Sequence, residues 1–250
     1  SYTLEIYKLG YNTETDSISI NPDTTNDLGT YELTLENTFN NDGLYFYGVN
    51  TNMSPYDDPV VRKALAYAIK WSEYETFLSN NISNDNGIAN RILTPNTTGY
   101  TNDKYIFYNK TIEDAESILS NAGYNTTDGI NITINIPDKA VHLDIANEVK
   151  SYWNSVEQFN VSIEQKTNYW DNIDNYGIYW VGWLIDNPDP IFYVEELEKL
   201  LTIEFSSEEE ELIHNAKMNL DNETTALDYI YQTEQKILDK GLILPLHYIQ

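Results

Sequence analysis

Apolar and polar positions along the chain fall into two regimes that meet near Leu44. Before it, residues 1–43 are polar and turn-rich, and only Tyr2-Thr-Leu-Glu-Ile-Tyr7 and Tyr31-Glu-Leu-Thr-Leu35 show the texture of short strands. From there the pattern tightens. Leu44-Tyr-Phe-Tyr-Gly-Val-Asn50 is an unbroken apolar run of strand length, as expected of a strand covered on both faces. Asp58 and Pro59 then supply an N-cap and a first-turn proline for a helix whose Val61, Leu65, Ala68 and Trp71 share one face. Thr111 and Asp114 open a second helix with a capping-box spacing, and Gly123 closes it.

The next stretch alternates. Ile130, Ile132, Ile134 and Ile136 are separated by polar residues and stop at Pro137, a period of two that predicts a half-buried strand. A helix is expected over 138–153, strands near 161–163 and 179–184, helices over 192–201, 207–220 and 224–240, and a last strand over 242–246. Strands alternating with helices predict an α/β fold with a mixed or largely parallel sheet flanked by helices. No Pro/Gly/Ser linker divides residues 44–250, so they are expected to form one lobe, with 1–43 as a separate, incomplete element.

Composition narrows the function. Apolar residues make up 41% of the 250, and there are 21 tyrosines, enough to pack a core. Forty acidic against 14 basic residues give a net charge of -26, a field that repels phosphate backbones and anionic lipid surfaces and favours cations. No nucleic-acid partner is therefore expected. Without cysteine there is no disulfide, thiol nucleophile or thiolate metal site. Three histidines, His142, His214 and His247, have no ligand-type partner at a useful spacing, so neither a metal nor a cofactor is expected. Ser1 opens no signal peptide, so any export signal is expected to have been lost or to lie upstream.

One segment combines aromatic surface with a carboxylate. In Tyr179-Trp-Val-Gly-Trp-Leu-Ile-Asp-Asn-Pro-Asp-Pro190, two tryptophans lie on an apolar strand that ends in Asp186 and a turn. Strand ends are where open α/β sheets bind ligands, and an ammonium group is the natural partner of a carboxylate beside aromatic walls. Trp180 and Trp183 as ordinary core residues, with Asp186 capping the turn, is an equally open reading of the segment alone. Asp186 with Asp189 also forms a carboxylate pair of the glycoside-hydrolase type, although 40 acidic residues produce many such pairs. The chain has no nucleophile elbow, phosphate loop or dinucleotide fingerprint.

Several blocks in order carry a resemblance. Leu44-Tyr-Phe-Tyr-Gly-Val-Asn-Thr51 with Asp58-Pro-Val-Val-Arg-Lys-Ala-Leu-Ala-Tyr-Ala-Ile69, Asp114-Ala-Glu-Ser-Ile-Leu-Ser-Asn-Ala-Gly-Tyr124, Gly182-Trp183 through Asp189-Pro190, Tyr231-Gln-Thr-Glu-Gln-Lys-Ile-Leu-Asp239 and Leu244-Pro-Leu246 follow one another. Together they resemble the peptide/nickel group of ABC-transporter solute-binding proteins, the oligopeptide- and dipeptide-binding proteins. The resemblance implies a periplasmic-binding-protein-like lobe over 44–250, the second of two that close on an extended peptide, with residues 1–43 as a remnant of the first lobe and the hinge approach and most of the first lobe missing here. It implies a non-enzymatic receptor outside the membrane, anchored at the cell surface in the full-length protein, which hands peptide to an ABC permease.

In that family the carboxylate at the position of Asp186 pairs with the ligand's α-ammonium. Trp183, with Trp180, would then form a side-chain wall, Gly182 and Leu184 would offer backbone hydrogen bonds, and Asn50 would stand near the hinge. Some relatives carry an arginine where this chain has Trp180, which leaves the preferred peptide length open. A surface interaction domain without a transport role is the competing reading.

Overall fold

The computed structural model describes residues 2–6, 14–18, 42–82, 85–102, 107, 109–185, 187–201 and 205–249. In chain order the strands and helices are β1 (Tyr2–Ile6), β2 (Glu14–Ile18), β3 (Asp42–Val49), α1 (Pro59–Tyr67), α2 (Trp71–Asn81), β4 (Asp85–Ile88), α3 (Ile112–Asn121), β5 (Ile130–Pro137), α4 (Ala140–Trp153) and β6 (Phe159–Lys166). A 3-10 segment, Trp170–Asn175, leads into β7 (Ile178–Ile185), which is followed by α5 (Pro190–Leu200), α6 (Ser207–Lys217), α7 (Glu223–Asp239) and β8 (Ile243–Ile249).

Strands β1 and β2 pair antiparallel as a two-stranded sheet. The other six form one mixed sheet in the order β4-β8-β3-β7-β5-β6. Its β3, β7, β8 and β4 pairings are antiparallel, whereas β5 runs parallel to both β6 and β7. The α/β expectation with a mixed sheet is therefore met. Pro245 lies in β8 between two partners, and the register shifts by one residue beside it, so the proline occupies a bulge where a lost donor costs little.

Period-two alternation divides the core between the sheet's two faces. Tyr45, Tyr47, Val49, Ile132, Ile134, Ile136 and Ile178 pack with α1 to α4, where Trp153 is fully buried and donates its Nε1–H to Leu65 O at 3.0 Å. Leu44, Phe46, Tyr179 and Val181 point the other way, into apolar residues of α5, α6 and α7. Both layers exclude water from β3 and from Ile178, Tyr179 and Val181 of β7.

Residues of the blocks that carry the resemblance tie helices to neighbouring segments, and Arg62 joins the two layers. Asp58 caps α1 by accepting from Val60 N at 2.7 Å, and its other oxygen accepts from Tyr124 Oη at 2.6 Å. Buried Arg62 donates to Tyr56 O, Asp57 O and, at 2.7 Å, to Lys240 O at the C-terminus of α7, where cations suit the helix dipole. Gly241 follows at φ +63°, and a Cβ there would come within 2.8 Å of Arg62 Cβ, so the close approach requires glycine. Glu234 on α7 pairs with Arg91 and accepts from Ile92 N at 2.6 Å and Leu93 N at 3.1 Å.

Some expectations shift. Trp71 does not extend the first helix; the chain turns at 68–70 and Trp71 begins α2, whose Tyr74 and Leu78 form its own buried stripe. Tyr31–Leu35 lies outside the described residues. Strand β6 outruns its apolar pattern because the whole of β5 pairs with it, through Pro137 opposite Lys166.

Glu234→Ala is expected to cost about 3–5 kcal/mol, since it strands a buried guanidinium and two backbone donors. Glu234→Gln keeps an acceptor for those donors and should lose less. Urea denaturation of both variants measures the difference.

Candidate functional site

Strand β7 is paired unequally along its two edges. On one side all eight residues are in register with β3, from Ile178 opposite Val49 to Ile185 opposite Asp42. On the other, the described pairing with β5 covers only Ile178 and Tyr179. Beyond Tyr179 the two parallel strands part at their C-terminal ends, the place where open α/β sheets leave a crevice.

The alternation of antiparallel hydrogen bonds says which residues face that crevice. Asn50 N donates to Gly177 O at 2.8 Å, so 50 and 177 form a hydrogen-bonded pair. Counting by two, Tyr179, Val181 and Trp183 direct their N–H and C=O toward β3, and Trp180, Gly182 and Leu184 direct theirs away from it. Ile178 O, on the same side, accepts from Asn135 Nδ2 at 3.2 Å. Trp180 O is met by Tyr169 Oη at 2.9 Å, and the same hydroxyl lies 3.1 Å from Asn135 O. Tyr169 thus closes the fork between β5 and β7. Past it, the main chain of Gly182 and Leu184 has no pairing strand among the described residues.

Side chains alternate too, which separates the two tryptophans. Trp183 points toward α5, with its ring centroid 4.5 Å from that of Tyr193. Trp180 lies on the opposite face and enters the fork. Its ring is 4.0 Å from that of His142, 5.6 Å from Tyr45 and 5.9 Å from Trp170. A Cβ on Gly182 would meet the Trp180 ring at 2.7 Å, so the glycine makes room for the indole beside the open edge. Trp180 Nε1–H is buried without a hydrogen-bond partner among the described residues.

The rim of the crevice is apolar and exposed. Leu184 is 60% exposed and Trp170 53%, and Val141 and Phe192 stand out from the first turns of α4 and α5, the helices that follow β5 and β7. Beneath them, His142 and His247 are kept neutral. Burial, helped by nearby Lys139, pushes His142 down to about 4, and burial pushes His247 down to about 3. His247 Nδ1 is 2.9 Å from Tyr74 Oη, and its ring stacks on Tyr45 at 4.5 Å.

The end of β7 is held from below. Asp42, opposite Ile185, is 1% exposed and accepts from Thr94 Oγ1 at 2.7 Å and Asn96 N at 3.0 Å. Burial pushes its carboxyl upward, against those hydrogen bonds. Thr98 N donates to Pro188 O at 2.9 Å, which ties the same loop to the turn after β7. Asp189 caps α5, accepting from Ile191 N at 2.9 Å, so one member of the Asp186/Asp189 pair already has a structural task.

Among the expected site residues, Gly182, Leu184 and Trp180 converge on the crevice, and Trp183 backs it from the other face. Asp186 lies outside the described residues. Asn50 is at the opposite end of β7, seven residues from Leu184 and so about 20 Å away by strand rise. It is buried and fully engaged, donating from Nδ2 to Asp174 O at 3.0 Å and accepting from Asn52 N at 3.0 Å. Tyr169, Trp170 and His142 join the site without having been expected there. The signal available was the Tyr169-Trp170 pair standing alone in a polar stretch. Among the described residues no group of three His, Cys, Asp or Glu could hold a metal, and no helix is long and apolar enough to cross a membrane.

Comparison with known proteins places this geometry in a family. Residues 8–199 match the family described as bacterial extracellular solute-binding proteins, family 5 Middle. The chain belongs to that family. The oligopeptide-binding protein OppA of Bacillus subtilis is 26% identical over 167 residues, covering 61% of this chain and 29% of OppA. Among solved structures, the Escherichia coli murein tripeptide binding protein MppA aligns with a TM-score of 0.68 at 19% identity, over 83% of this chain and 42% of MppA. Haemophilus influenzae OppA in complex with RPPGFSPFR aligns with a TM-score of 0.67 at 16% identity, over 83% of this chain and 43% of that one. The two structures share the fold, and the chain spans less than half the length of any of these three proteins.

Two measurements test this site. Tyr169→Phe removes the hydroxyl that closes the fork and should lower stability by about 1–3 kcal/mol in urea. His247 binds a proton in the unfolded chain near pH 6.5 but in the folded chain only near 3, so its stabilising contribution is complete above about pH 6.5 and declines as pH falls toward 3. Between pH 7 and 5 that decline is about 2 kcal/mol, and His247→Gln should flatten the slope of stability against pH by that amount.

Proposed function

We propose that this chain is a ligand-binding lobe of an extracellular or periplasmic peptide receptor, and that the peptide adds as an extended strand along the open edge of β7. The observation that carries the reading is the one-sided pairing of β7, which points the main chain of Gly182 and Leu184 into an apolar-rimmed crevice. Main-chain hydrogen bonding of this kind grips a peptide whatever its sequence. Family membership supports the receptor role, and likeness to the oligopeptide-binding protein of Bacillus subtilis supports the peptide. Haemophilus influenzae OppA, of like fold, was solved with a bound peptide.

In this reading Asp186, two residues beyond Leu184, meets the peptide's α-ammonium, and the negative charge of the whole chain draws that cationic end in. Trp180 and Trp170 wall one side of the crevice, and Trp183 with Tyr193 keeps β7 rigid from the other. Residues 44–250 act as one lobe, which closes with a first lobe around the peptide, and the cell-surface receptor delivers its cargo to an ABC permease. Binding requires no bond to be made or broken in the ligand.

Two substitutions in the full-length protein test this by calorimetry. Asp186→Ala should weaken peptide binding by a few kcal/mol, the cost of leaving a buried ammonium unpaired. Leu184→Pro removes one donor from the open edge without touching the β3 ladder, so peptide affinity should fall about tenfold or more while stability changes by about 1 kcal/mol or less. Unchanged affinity in both variants contradicts the reading.

A further inference from the structure

On the face of the sheet opposite α4, β5 and β6 carry a ladder of polar pairs where a core would otherwise be. Asn131 stands opposite Asn160, Thr133 opposite Ser162 and Asn135 opposite Glu164. Thr133 Oγ1 and Ser162 Oγ are 3.1 Å apart. The ladder ends in an open hollow of about 410 Å³ lined by Asn135, Thr167, Asn168, Asn172, Asn175 and Tyr176. All six of these side chains are carboxamides or hydroxyls without charge, in a chain whose net charge is -26. The two charged residues that complete the lining, Glu164 and Lys166, neutralise each other in an ion pair at 2.5 Å.

The hollow adjoins the open edge of β7. Asn135 lines it, and Asn135 O lies on the same Tyr169 hydroxyl that meets Trp180 O, the last carbonyl before the free main chain of Gly182. A strand added to β7 continues the sheet where β5 turns away, and every second one of its side chains points to the face on which the hollow lies. Asn135 is 4% exposed, with Nδ2 donating to Ile178 O at 3.2 Å.

We propose that this hollow is a side-chain subsite that selects an uncharged hydrogen-bonding side chain, a carboxamide or a hydroxyl, on the bound peptide. The inference rests on the strand-addition reading and adds a specificity to it. Carboxamide walls offer donors and acceptors in equal measure, which a carboxamide or hydroxyl satisfies in both senses. An apolar side chain would strip water from these amides without replacing its hydrogen bonds, and a charged one would find its only possible counter-ion already paired. Discrimination therefore comes from the groups that wrong side chains leave unpaired.

The test uses the full-length protein and alanine-based tetrapeptides in which one position at a time carries Gln, Ser, Leu, Glu or Lys, with affinities measured by calorimetry. At one position Gln or Ser is expected to bind about tenfold more tightly than Leu, Glu or Lys. The double variant Asn168→Ala/Asn175→Ala, at two exposed positions, should abolish that preference and leave the all-alanine peptide within about twofold of its wild-type affinity. Peptides that bind with no such preference, or with one that survives the double variant, overturn the subsite and leave strand addition standing. Failure of every peptide to bind overturns strand addition, and the subsite with it.

Discussion

The fork between β5 and β7 is the constraint on which the rest of the structure turns. A strand in the middle of a sheet satisfies its backbone on both edges, and β7 does so for Ile178 and Tyr179 before its parallel neighbour leaves. Tyr169 then supplies one hydroxyl where a strand would have supplied a ladder. Beyond that point, Gly182 and Leu184 keep their β geometry only because β3 holds the far edge through Ile185. A free edge this apolar is an aggregation hazard in an ordinary domain. Its persistence here, beside Trp170 and Trp180, is what the proposed binding edge requires.

Keeping that edge straight explains much of the remaining architecture. Trp183 wedges against Tyr193, Asp42 holds the 94–96 loop, and Thr98 reaches Pro188, so the far end of β7 is braced from three directions. Arg62 and Glu234 play the same part at longer range, joining the helices of the two layers to the loops that flank β3 and β8. The blocks by which the family is recognised are largely these braces. Charged residues buried and hydrogen-bonded in this way specify one arrangement of layers more than they add to stability.

How far the sequence could be read follows from the same physics. The isoleucine alternation of β5, the Asp58-Pro59 cap and the Thr111/Asp114 capping box are local signals, and each produced its element. The break before Trp71 was not legible, because neither glycine nor proline marks it and Val61, Leu65, Ala68 and Trp71 fit one continuous stripe. That Trp180 and Trp183 face opposite ways was available from a period of two. That Gly182 and Leu184 point their main chain into a crevice was not, since it depends on which strand lies beside β7 and where β5 departs. Asn135 and the polar ladder were equally hidden, being assembled from residues that read as ordinary solvent-facing positions.

The central claim is that β7 is a binding edge with two ready main-chain positions. Residue-resolved hydrogen exchange of the full-length protein, with and without saturating peptide, tests it most directly. The account predicts that the amides of Val181 and Trp183 exchange slowly in both states, whereas those of Gly182 and Leu184 exchange fast alone and become protected with peptide. Equal protection of all four amides without peptide, or peptide binding that leaves Gly182 and Leu184 unprotected, would contradict it.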